Sequence, residues 1–416
     1  MMISALNRYA LRSCAVIAML AGCGGSQLPI RAPSAMSQQV AGGVSGAFAQ
    51  VRPAQSAARQ NVVVEYVYVV NLDSDNVSTY TIDAITGALT QVKGSPFRTG
   101  TSPFNVAVDP KGKFAYVTHA DANNVSAYRI NAASGALKQV KGSPFAAAPG
   151  PLGVAVDPTG RFAYVTNLGY FGTSRSPGNV AAFTINANSG ALTQVNGSPF
   201  EAGIDPYAVA VDPTARFAYA INLYSNSISA YAIDASSGAL TQITGSPFGT
   251  GTYPDGLAVA PTGKFVYVAN ADSNNISAYT INPTNGALTP VKGSPFGAGT
   301  FPWDAAVDPT GKFAYVANSG SDNVSAYKIS ASSGALIQMK GSPFAAASEP
   351  LGVAVDSTGK FAYVTNFGSN NVSAYTINAT SGALTQVKGS PFEAGTWPYG
   401  IATCRVKAAK CISSSL

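Results

Sequence analysis

The chain has 416 residues, with 25 Lys and Arg against 19 Asp and Glu and a single histidine. Charged residues make up 11% of it, beside 42 glycines and 26 prolines, where an average soluble domain is roughly 25% charged. That balance excludes a coiled coil, a charge-rich disordered chain and a long helical bundle, and it points to many short strands joined by tight turns.

Residues 1–13 hold Arg8 and Arg12 and no acid, and the apolar run Cys14–Leu20 that follows is too short to span a bilayer. The run ends in Leu20-Ala21-Gly22-Cys23, which resembles the lipobox of bacterial lipoproteins. The resemblance implies a signal peptide over 1–22 and a lipid on Cys23, which makes the membrane a partner without a spanning helix. Gly24 after the cysteine implies the outer membrane of the cell envelope. Residues 23–60 are rich in Ala, Gly, Ser and Gln without apolar period, so they read as a flexible tether.

From about Val62 one unit recurs. Gly-Ser-Pro-Phe begins at residues 94, 142, 197, 245, 293, 341 and 389, a spacing of 48 broken once by 55. A phased proline keeps the same count at 103, 151, 206, 254, 302, 350 and 398. In the unit 103–150 four strands are predicted: Val106–Val108, Phe114–Thr118, Val125–Ile130 and Ala136–Val140, each closed by Gly, Pro, Asn or Asp. Apolar residues occupy both faces of the second and third, so each sheet needs sheet neighbours on both sides. Four-stranded sheets at this period predict an all-β fold, a seven-bladed β-propeller over 61–405 followed by a tail over 406–416. The first unit lacks a proline-led first strand and the chain ends with one, Trp397–Cys404, so the two fragments complete one blade. A solenoid would need capping units instead of complementary halves.

Tyr116-Val-Thr-His, Tyr164-Val-Thr-Asn and Tyr363-Val-Thr-Asn resemble the Tyr-Val-Thr-Asn repeats of bacterial and archaeal propellers. The VAVDPTGKFAYV turn and SGALTQV strand resemble the lactonase-family seven-bladed propellers, which include 6-phosphogluconolactonase. The resemblance implies a site of Arg and His beside a channel-lining strand. The matching positions here are Phe104-Asn105, Tyr207-Ala208 and Trp303-Asp304, and none is Arg or His.

In such a ring the first strands line the channel, and differences between near-identical units mark where function can sit. The residues flanking the phased proline vary most. They give a candidate ligand mouth of Phe104, Asn105, Tyr207, Tyr253, Asp255, Phe301, Trp303, Asp304, Trp397 and Tyr399. Aromatic faces with nearby acceptors suit a sugar ring; alternatively, the same aromatics plug the channel. The seven-residue insertion brings Tyr170, Phe171 and Arg175 to a loop on that face, a candidate partner contact. His119 stands where Asn71, Asn167, Asn222, Asn270, Asn318 and Asn366 recur, and either imitates the asparagine or acts as a base.

One histidine and few cysteines exclude a zinc site, no G-x-S-x-G elbow occurs, and no cofactor or metal is expected. Lys113, Arg161, Arg216, Lys264, Lys312 and Lys360 recur once per unit as a solvated ring, so nucleic acid is not an expected partner. Cys404 and Cys411 are candidates for a disulfide in an oxidising envelope. Together these features predict an envelope-anchored monomer that binds a glycan or envelope protein without catalysis. The alternative is a sugar-lactone hydrolase with catalytic candidates Asp255, Asp304 and His119.

Overall fold

The computed structural model describes residues 59–169 and 177–411, with side chains over 63–169 and 177–407. Cys23 and the loop residues Tyr170, Phe171 and Arg175 lie outside them. Seven antiparallel sheets form the ring. Six are continuous in sequence, and in the seventh the strand Arg59–Asn71 lies between Asn76–Ile82 and the closing strand Pro398–Cys411. The closing strand ends at Cys411 instead of at 405. Among the described residues no helix is long and apolar enough to cross a membrane.

The blade that begins at Pro103 shows how the repeat works. Its strands are Pro103–Val108, Phe114–His119, Asn124–Ile130 and Leu137–Gln139. The first two are joined by a turn in which Asp109 Oδ1 accepts the backbone N–H groups of Lys113 and Phe114 at 2.5 and 2.7 Å. Asp157, Asp212, Asp308 and Asp356 repeat that bond. The fourth strand is shorter than predicted because Gly-Ser-Pro-Phe takes over its role. The Ser143 hydroxyl oxygen accepts the N–H of Ala127 at 2.9 Å, and a two-residue strand, Phe145–Ala146, folds back onto the third. Every Ser–Pro bond of the seven tetrapeptides is cis.

Apolar cores lie between blades, not within them. Phe114, Tyr116 and Val125 of one blade pack on Val154, Val165 and Phe183 of the next, and Val67 and Tyr80 pack on Phe361 and Tyr363 across the chain ends. A polar clasp accompanies each core. Tyr116 Oη donates to the Gly190 carbonyl, Tyr164 to Gly238 and Tyr219 to Gly286. The series continues through Tyr363 to Gly87 and Tyr68 to Gly135, closing all seven interfaces. These glycines leave no room for a side chain: a Cβ on Gly190, whose φ is +81°, would lie 2.3 Å from the Phe114 ring of the preceding blade. The Ser-Gly-Ala-Leu motif is thus an interface residue set.

Cys404, on the closing strand, is a buried free thiol; the side chain of Cys411, its candidate disulfide partner, lies outside the described residues.

Candidate functional site

Each phased proline opens a first strand at one face of the ring. The residue after it is Phe104, Leu152, Tyr207, Asp255, Trp303, Leu351 or Tyr399, and four of these rings converge on the axis. Phe104 and Tyr399 have centroids 4.3 Å apart, Phe104 and Tyr207 5.5 Å, Trp303 and Tyr399 6.1 Å, and Tyr207 and Trp303 6.4 Å. The hydroxyls of Tyr207 and Tyr399 hydrogen-bond to each other. The second residue after the proline is small in most blades, because neighbouring first strands nearly touch. A Cβ on Gly256 would fall 2.5 Å from the Asp304 Cα and the Trp303 carbonyl.

The aromatics therefore fill most of the mouth, and a cavity of about 60 Å³ is left, lined by Phe104, Asn105, Tyr207, Ala208, Asp255, Trp303, Asp304, Gly352, Tyr399 and Gly400. That is room for a few waters or one functional group of a larger molecule. Of the ten predicted mouth residues, seven line this cavity. Tyr253, Phe301 and Trp397 do not. They precede their prolines in left-handed backbone, with φ of 60°, 52° and 57°. Each donates its N–H to an asparagine of the preceding blade, Asn226, Asn274 or Asn370, at 2.8–2.9 Å. Trp397 is 41% exposed and stacks on Phe367 at 5.2 Å.

Two carboxylates share the cavity. Asp255 is 3% exposed, and neither of its oxygens has a hydrogen-bond partner among the described residues. Burial holds its carboxyl well above the usual carboxylate range, and the charges of Asp272 and Asp304 add to the effect. Asp304 presents part of its surface to the cavity but is otherwise enclosed by protein. Burial pushes it up to about 6, opposed by the N–H groups of Val353 and Ala305, which donate to it at 3.1 and 2.8 Å. A carboxyl whose burial favours its protonated form, beside one that ionises near pH 6, is a pairing that can separate acid and base roles.

The surrounding strands carry a signal the sequence reading missed. In three blades the threonine of Tyr-Val-Thr clasps two first strands: Thr166 Oγ1 accepts from Gly153 N–H and donates to the Tyr207 carbonyl, both at 2.9 Å, and Thr118 and Thr365 do the same in their blades. In the two blades that supply the carboxylates this position is alanine, Ala269 opposite Gly256 and Ala317 opposite Asp304. Reading Tyr-Val-Ala-Asn against Tyr-Val-Thr-Asn would have singled out these blades.

His119 is elsewhere. It is fully buried in its blade, and its Nε2 lies 2.9 Å from Ser126 Oγ, the geometry of the Asn270–Ser277 and Asn318–Ser325 pairs. Burial lowers its pKa to about 4, and it does not line the cavity. Among the described residues no three His, Cys, Asp or Glu side chains gather as metal ligands.

No curated protein matches the chain in sequence. Among solved structures it is similar to a candidate 6-phosphogluconolactonase from Bacteroides fragilis, with a TM-score of 0.69 and 19% identity over 82% of this chain and 98% of that one. It is also similar to the periplasmic gluconolactonase of Pseudomonas aeruginosa, with a TM-score of 0.69 and 17% identity over 84% and 100%. A functionally unknown protein from Desulfotomaculum acetoxidans aligns with a TM-score of 0.63 and 21% identity over 82% and 98%. At these identities the likeness shows the fold. Sequence similarity reaches further: a family model described as a lactonase, 7-bladed beta-propeller, matches residues 57–247, 200–301 and 296–397. With the ring and its repeats accounted for, the chain belongs to the lactonase family of seven-bladed β-propellers.

Proposed function

We propose that the protein hydrolyses a lactone at the axial cavity. The observation that carries this reading is the pair Asp255 and Asp304, two carboxyls held in one small cavity and both raised by burial above the usual carboxylate range. Asp304, ionised above about pH 6, takes a proton from water as the water oxygen attacks the lactone carbonyl carbon. Asp255, whose burial favours the protonated form, donates to the carbonyl oxygen, where negative charge develops. The ring C–O bond then breaks, the leaving oxygen takes up the proton, and a hydroxy acid results. The cavity admits the carbonyl and the water, while the rest of the lactone rests at the mouth against Trp303. Membership of the lactonase family supports the reading; the residues are this chain's own.

The test is turnover of glucono-δ-lactone by the purified full chain, above the spontaneous rate. Asp304→Asn is expected to lower kcat by about 10²–10⁴-fold, the usual contribution of a general base. The wild type should lose kcat/KM below about pH 6, a limb absent from the variant. An active Asp304→Asn enzyme with an unchanged profile would refute the assignment.

A second reading has its own observation. The indole of Trp397, exposed and backed by Phe367, is a flat platform on the mouth face, suited to the C–H face of a glycan. Glycan-array binding lost in Trp397→Ala, with no lactone turnover by the wild type, would favour a non-catalytic binding propeller. In either case we place the ring, as a monomer, at the outer-membrane surface through a lipid on Cys23 and the tether that follows.

A further inference from the structure

None of the ten residues lining the cavity is Lys, Arg or His, while two are carboxylates. Asp255 has no hydrogen-bond partner among the described residues, so no cation balances it there. Asp304, ionised at neutral pH, already accepts two backbone N–H groups. The loops around the mouth repeat the sign: Asp121, Asp272 and Asp322 lie between second and third strands. The recurring cations, such as Lys113, Arg161 and Lys264, stand in the turns at the far ends of the six-residue first strands, about 20 Å from the mouth. A phosphate monoester brings nearly two negative charges at neutral pH. It would approach through the field of the rim acids, then meet an ionised carboxylate in a site where little water screens it, and among the residues lining the cavity it would find no guanidinium or ammonium to hold it.

Resting on the hydrolase reading, we infer that the substrate is an uncharged lactone, and that Asp304 and the acidic rim exclude phosphorylated lactones. Hydroxyl groups of an uncharged sugar lactone meet acceptors in the same places where a phosphate meets repulsion, and its ring faces the indole of Trp303.

The experiment compares glucono-δ-lactone with its 6-phosphate, using the full chain at neutral pH, with spontaneous hydrolysis subtracted. The unphosphorylated lactone is expected to have kcat/KM at least about 100-fold higher, since like-charge juxtaposition commonly weakens recognition by that much or more. Raising salt should increase turnover of the phosphate ester, by screening the rim, and leave the neutral lactone unchanged. Equal or faster turnover of the phosphate ester overturns this inference and leaves the hydrolase reading standing. Turnover of neither lactone overturns the hydrolase reading and this inference with it.

Discussion

Replacing Asp255 with leucine should make the protein more stable and inactive. The ring itself supplies the precedent: the same repeat position is Leu152 and Leu351 in two other blades, 2% and 4% exposed. An unsatisfied buried polar group costs about 1–3 kcal/mol, and burying a leucine side chain contributes a further 1.5–3 or so. The larger side chain can grow into the cavity of about 60 Å³, so packing strain offsets only part of this. A net gain of about 2–4 kcal/mol at neutral pH follows, or about 3–6 °C in Tm for a ring of this size. The sign also depends on pH. Below about pH 4 both folded and unfolded chains hold the Asp255 proton. As pH rises, the unfolded chain releases its proton first, because the folded carboxyl is held above the usual range, and wild-type stability falls. The variant's advantage should therefore widen between pH 4.5 and pH 7.5, measured by thermal melts in matched buffers. Loss of stability in Asp255→Leu, or the same advantage at both pH values, would refute the account of a carboxyl kept unpaired for function.

Three further substitutions separate scaffold from site. His119→Asn restores the residue that six other blades use, and it removes the buried, unpartnered Nδ1; turnover should stay within about twofold, whereas loss by the 10² expected of a missing base would return His119 to the chemistry. Gly190→Ala places a Cβ against the Phe114 ring at positive φ and should cost about 2–4 kcal/mol from backbone strain and overpacking; an unchanged Tm would contradict the interface. Cys23→Ser should move the protein from the membrane fraction to the soluble one, and continued membrane retention would exclude the lipid anchor.

The ring was legible because its physics repeats. Strand pattern, turn residues and split blade are all local or periodic, so one unit read correctly fixed seven. Direction around the proline was less legible. Tyr253, Phe301 and Trp397 stand two residues before Asp255, Trp303 and Tyr399, yet they do not line the cavity. Residues before a proline avoid the helical region, and these three adopt left-handed backbone only because an asparagine 27 residues earlier holds each N–H. That bond crosses a blade interface, and no pattern within one unit shows it.

Why two carboxylates should sit in an aromatic plug is a question about the scaffold as much as the site. A carboxyl keeps a raised pKa only where neighbours cannot rearrange to solvate it or pair with it. Around the axis such rearrangement is blocked. First strands approach too closely for a Cβ on Gly256 or Gly352, and seven tyrosine–glycine clasps hold the blades behind them. The two blades that supply Asp255 and Asp304 have also lost the threonine clasp, so neither Ala269 nor Ala317 offers a hydroxyl to relieve the acids. Asp304 reaches across to Val353 N–H instead, which ties one carboxylate to the next blade and leaves Asp255 unpaired. Fold stability alone does not call for this arrangement, since the leucine and threonine of sibling blades close the same gap with fewer buried charges. Adjacent departures from the repeat, each unfavourable by itself and both converging on one cavity, are what a site imposed on a rigid ring should look like.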